Sequence, residues 1–209
     1  MRIIVGYPPI SDERGYVQVG QNRQSKIFSI REEAAIFPCV MAWAATLLKQ
    51  EGHEVRWWDA QTDHSWSNGC PPDLHCYLHV LEDWAPDLIL WEAKTPSIKA
   101  TWEAVRKVKE LLPSCIVVLC GDHVTALPKE TISNSPTDIV ITGGDYDFAI
   151  QTIVGVLTGK ISVFVPGSAH LPRYSTHLLT DRLECEIYYN GLIWNQGTTS
   201  KLDTLPVIE

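Results

Sequence analysis

The stretch Cys115–Asp147, CIVVLCGDHVTALPKETISNSPTDIVITGGDYD, holds two apolar runs, IVVLC at 116–120 and DIVIT at 138–142. Each stops abruptly at glycine followed by polar residues, GDH in the first case and GGDYD in the second. A run apolar at every position suits a strand buried on both faces, as in a parallel sheet covered by helices. Ligands of open α/β sheets bind just outside the carboxyl ends of such strands. Glycine at that point permits positive φ and close approach of the backbone. One glycine turn alone reads as an ordinary strand-to-helix connection. Two at adjacent strand ends, both rich in Asp, His, Thr or Tyr, point to a binding face.

Working outward, the same alternation recurs on the amino-terminal side. Arg2–Gly6, RIIVG, is a short strand that ends at Tyr7-Pro8-Pro9, where proline takes the chain out of the sheet. From Ile10 to about Ser29 the sequence is polar and reads as a long loop, a candidate cover for the binding face. Pro38–Glu51 carries a helical apolar stripe, with Gly52 as its C-terminal stop. His53–Asp59, HEVRWWD, alternates as a second strand. The polar segment 62–73 is a loop, and Asp73–Trp84 is a helix. Asp87–Trp91, DLILW, is a third strand and runs into EAKTPS. Ile98–Leu112 is an amphipathic helix with basic residues toward its C-terminal half, which suits the helix dipole. Pro128–Ser133 is a short helix, and Phe148–Leu157 is a longer one stopped by Gly159. Strands alternating with helices give an α/β class: a doubly wound, Rossmann-like sheet of five parallel strands. That pattern occupies residues 1–159. Residues 160–209 form an extension in which Leu183–Asn195 reads as a β-hairpin turning at Asn190-Gly191, followed by a linker.

Composition bounds the partners. The 209 residues carry a net charge of −8, which disfavours nucleic acid, since phosphate binding needs a basic footprint. No apolar stretch approaches the length of a membrane span, and the apolar run at the N-terminus is too short for a signal peptide, so a cytoplasmic location is expected. Six cysteines, at 39, 70, 76, 115, 120 and 185, form no CxxC pair. They read as reduced, mostly buried thiols.

The strand ends define one candidate face. It comprises Tyr7, Pro8 and Pro9; Glu92, Lys94, Thr95, Pro96 and Ser97; Gly121, Asp122, His123, Val124 and Thr125; and Gly143, Gly144, Asp145 and Tyr146. A face this broad suits a large ligand. No GxGxxG follows the first strand, there is no Walker A signature, and no GxSxG nucleophile elbow is present. His75 and His79 have the i, i+4 spacing of a shared metal, but with His64, Cys70 and Cys76 they match no zinc motif, and side chains at the helix surface or boundary are the plainer reading. Trp43, Trp84, Trp91 and Trp102 fall on predicted elements and read as packing residues.

The series FPCVMAWAATLLKQEGHEVRWWDA, PDLILWEAKTPS, VVLCGDHVTALPKE and DIVITGGDYDF, in that order over residues 1–157, resembles the cobalamin-binding domain of cobalamin-dependent radical S-adenosylmethionine enzymes of the methyltransferase type. GDHVTALP and GGDYDF are the most specific pieces, and the ending with LDTLP resembles the connector into that family's radical domain. The resemblance implies a cofactor module that holds a corrin ring, as methylcobalamin or hydroxocobalamin, at the strand ends, with its benzimidazole tail beside the sheet. Residues 94–97, 121–125 and 143–146 would then contact corrin and tail, with Thr95, Ser97, Asp122 and Thr125 offering hydrogen bonds. Relatives in the wider cobalamin superfamily carry DxHxxG after their first strand, and its histidine ligates cobalt. Here YPPI stands in that place, while Asp63, His64 and Gly69 have the wrong spacing and follow the wrong strand. The implication is base-off cobalamin without a protein histidine ligand. The CxxxCxxC motif that holds an iron–sulfur cluster is absent from this chain. It would therefore serve a radical S-adenosylmethionine catalytic domain or subunit rather than run the reaction alone. Two other readings stay open: a stand-alone corrinoid carrier or sensor, and an unrelated α/β transferase for nucleotide-linked substrates that uses Asp122, His123 or Asp145 as acid or base.

Overall fold

The computed structural model describes residues 1–10, 38–60, 74–143 and 146–160, and the backbone of 192–195. The apolar runs form parallel strands β1 (Arg2–Tyr7), β2 (Glu54–Asp59), β3 (Leu88–Glu92), β4 (Ile116–Cys120) and β5 (Ile139–Thr142). They lie side by side in the order β2-β1-β3-β4-β5. The central strands are buried at almost every position, whereas the edge strand β2 begins with alternating exposure. That difference follows the sequence pattern, continuous in the middle and alternating at the edge.

Helices cover both faces. They are α1 (Cys39–Gln50), α2 (Leu74–Trp84), α3 (Ile98–Leu111), α4 (Asp122–Ala126), α5 (Pro128–Asn134) and α6 (Tyr146–Leu157). Successive strand residues point to opposite faces, so the core divides in two. On one side Ile4, Ile89, Trp91, Val117 and Leu119 pack against Tyr77, Leu81, Trp102 and Val105 of α2 and α3. On the other, Ile3, Val5, Leu90, Val118 and Ile141 pack against Met41, Leu48, Ile150 and Ile153 of α1 and α6. Each fully buried aliphatic side chain contributes about 1.5–3 kcal/mol. Gly52 follows the end of α1 with φ +85° and donates to the Lys49 carbonyl, the expected stop. Trp84, Trp91 and Trp102 are core residues, as expected, and Trp43 is half-buried. Cys115 and Cys120 are free and buried.

Two elements differ in detail from the sequence reading. GDHVT, taken as a strand end, enters the five-residue helix α4 directly after Gly121. Leu192–Asn195, read as one arm of a hairpin, pairs in parallel with β5 as β6, with Leu192 opposite Ile139 and Asn195 opposite Thr142. The other arm and the Asn190-Gly191 turn lie outside the described residues. Among the described residues no helix is long and apolar enough to cross a membrane.

Candidate functional site

All strands run the same way, so the ends of β1, β3, β4 and β5 open on one rim. Chain order reverses between β1 and β3, the switch point at which doubly wound sheets bind ligands. Tyr7 and Glu92 stand at this point. The Tyr7 hydroxyl donates to Glu92 Oε2, and both side chains are buried. Burial first, then the Glu92 charge, pushes the Tyr7 phenol well above its ordinary range. Burial also raises the Glu92 carboxyl, although the Tyr7 hydrogen bond and the Lys94 charge pull the other way. Pro8 and Pro9 continue from Tyr7 and are buried.

Past Glu92 the chain turns through Lys94 into a single 3-10 turn, Thr95–Ser97. The Ser97 hydroxyl donates back to the Lys94 carbonyl at 3.1 Å, which engages it in the turn itself. Thr95 and Pro96 are exposed on the rim. Lys94 is only 7% exposed. Its Nζ lies 3.3 Å from Asp122 Oδ2 and 3.8 Å from Glu92 Oε1.

Gly121, between β4 and α4, has φ +113°. A Cβ there would stand 2.4 Å from the Ala93 carbonyl oxygen and 3.0 Å from its nitrogen. The glycine thus serves the close approach of the β3 and β4 turns, which Ala93 N–H also joins by donating to the Cys120 carbonyl at 2.8 Å. From α4, Asp122 points outward while Val124 goes into the core. His123 is 4% exposed and packs edge-on against Trp102. Its Nδ1 is 3.2 Å from the Thr95 hydroxyl, and its Nε2, which makes no hydrogen bond, is 3.7 Å from Glu130 Oε2. Thr125 Oγ1 stands 3.3 Å from both the carbonyl and the N–H of Gly143, linking the β4 and β5 turns. Tyr146, at the start of α6, is buried, and desolvation raises its phenol. Gly144 and Asp145 lie outside the described residues.

The structure therefore gathers Tyr7, Glu92, Lys94, Thr95, Asp122, Thr125 and Gly143 along adjoining strand ends, and turns His123 and Val124 away into the protein. Sequence reading missed Asp59 and Cys120, both buried beside this cluster. Asp59 sits opposite Tyr7 in the β1–β2 register, and Cys120 opposite Glu92 in the β3–β4 register. Burial raises the Cys120 thiol well above its usual range, which makes it a poor nucleophile. The only sequence signal for either was its place at the end of a strand.

His75 and His79 meet edge to face on α2, ring centroids 4.6 Å apart. They border a groove of about 320 Å³ shared with Glu82 and Glu110. Among the described residues no three of His, Cys, Asp and Glu are placed to hold a metal ion. Searches against family models, curated proteins and solved structures give no match to this chain.

Proposed function

We propose that this chain is a cobalamin-binding module for a radical S-adenosylmethionine methyltransferase, taking the corrinoid base-off at the carboxyl rim of its sheet. The observation that carries this reading is the strand order. It sets the EAKTPS and GDHVT turns and Gly143, which belong to the segments that bear the sequence resemblance, side by side on one edge. The donor set fits such a ligand. A corrinoid periphery bears amides and a phosphodiester, and the rim offers the Lys94 ammonium, the Thr95 hydroxyl and backbone groups around Gly143. When bound, the cofactor supplies methyl transfer at cobalt. The chain's own residues bind and orient. The Tyr7–Glu92 bond closes the base of the rim, and the Thr125–Gly143 link fixes the spacing of two turns. The burial of His123, against Trp102 and with Nδ1 facing the Thr95 hydroxyl, supports the part of this reading in which that residue is no cobalt ligand.

The test is a visible absorption titration of the purified chain with hydroxocobalamin and methylcobalamin. Saturable binding with a base-off spectrum is expected. A histidine-ligated spectrum would keep the cofactor and remove the claim that no protein histidine ligates cobalt. Absence of binding, with and without oxygen, would sink the reading.

A further inference from the structure

Lys94 is unusual among the rim residues. It is more than nine-tenths buried, and an ammonium carries three N–H donors. Among the described residues its only partner within hydrogen-bonding distance is Asp122 Oδ2, at 3.3 Å. Glu92 Oε1, at 3.8 Å, is too far for a hydrogen bond. Burial favours the neutral form of Glu92, which further weakens its hold on the cation. A buried cation with donors to spare is costly unless an acceptor completes it. Asp122 is a loose partner: its carboxylate stands 3.3 Å from Nζ and its side chain is 65% exposed. An ion pair that is solvated on one side is weak and exchangeable.

We infer that Lys94 is an anion-binding residue that takes the phosphate of the ligand, and that Asp122 is the stand-in which holds the ammonium until the ligand arrives. This rests on the cofactor reading above and assigns the phosphodiester of the nucleotide tail to a residue. An arriving phosphate exchanges one oxyanion partner for another, so the ammonium keeps an anionic neighbour at every stage. Phosphate oxygens accept more of its donors than one carboxylate at 3.3 Å does.

Three corrinoids separate the contributions: cobalamin, cobinamide phosphate and cobinamide, which lacks the phosphate. Each is titrated by absorption into the wild-type chain, Lys94→Met and Asp122→Asn. The wild type is expected to bind cobinamide phosphate about tenfold or more tightly than cobinamide, the size of a hydrogen bond to a charged group. Lys94→Met is expected to erase that gap and leave cobinamide binding in place. Asp122→Asn is expected to widen the gap, because the competing carboxylate charge is gone. Equal affinities in the wild type, or a Lys94→Met loss shared by all three ligands, would overturn the assignment while leaving the cofactor reading intact. If Lys94→Met fails to fold, Asp122→Asn decides, and an unchanged gap in that variant counts against the inference. If no corrinoid binds at all, the cofactor reading falls. Calorimetry with pyrophosphate then judges Lys94 by itself: binding lost in Lys94→Met sustains the anion site, and no binding removes it.

Discussion

Glu92 ends a strand whose other residues are all apolar, and its carboxyl must find partners inside the protein. It finds the Tyr7 hydroxyl and, further off, Lys94. Its folded pKa lies above the ordinary 4.5, so the folded state holds a proton that the unfolded chain releases. Stability from this group is complete below 4.5 and drains away as pH rises through the folded value. Melting temperature measured from acid to neutral pH is expected to fall more steeply in the wild type than in Glu92→Gln, which cannot titrate. Parallel curves would remove the argument. The sequence showed Glu92 and Lys94 as polar residues after an apolar run. It could not show that Tyr7 faces Glu92, since they meet only because β1 and β3, 85 residues apart at this contact, are neighbours. His123 shows the converse limit. Its place after a glycine turn suggested a ligand contact, and only the packing of Trp102 against it reveals that the ring faces inward.

Among the elements, the opposite end of the sheet is clamped by one carboxylate. Asp138 takes Lys109 Nζ from α3 at 3.0 Å and Val117 N–H from β4 at 2.8 Å, while Lys109 also donates to the Cys115 carbonyl at 2.9 Å. Asp138→Ala is expected to cost about 1.5–3 kcal/mol in urea unfolding, the range for hydrogen bonds to a charged group. Asp138→Asn, which keeps an acceptor oxygen, is expected to lose less. A loss under about 0.5 kcal/mol for alanine would mark the cluster as an ordinary surface ion pair. Elements of this kind were legible where burial leaves a period. The central strands read as continuous apolar runs, and α3 read as an amphipathic stripe. Helix α4 was not legible, because five residues hold little more than one turn and DHVTA has no stripe to detect. Strand β6 was visible as a strand, but its parallel pairing with β5 depends on a crossover that local patterns do not encode.

For the molecule as a whole, a ligand that binds only the folded chain stabilises it by mass action. Hydroxocobalamin at a hundredfold excess over its Kd is expected to add about 2.7 kcal/mol. For a domain of this size that corresponds to a rise of roughly 5–11 °C in melting temperature. An absorption change without a thermal shift would mean that the corrinoid also binds unfolded chain. The class of fold was legible from the alternation of elements, and the strand order that creates the rim was not, since several orders satisfy the same alternation. That order has a further consequence through β6. Because it runs parallel to β5 with Asn195 opposite Thr142, the carboxyl end of β6 lies beside the start of the Gly143 turn, at the same rim as the candidate site. Whatever is carried on the chain beyond Asn195 is therefore tethered next to the site. On the cofactor reading proposed above, a partner anchored there would meet the corrinoid at an effective concentration set by linker length, in the millimolar range for short flexible linkers. Encounter would then be governed by the reach of a leash and not by how much of either component the surroundings contain.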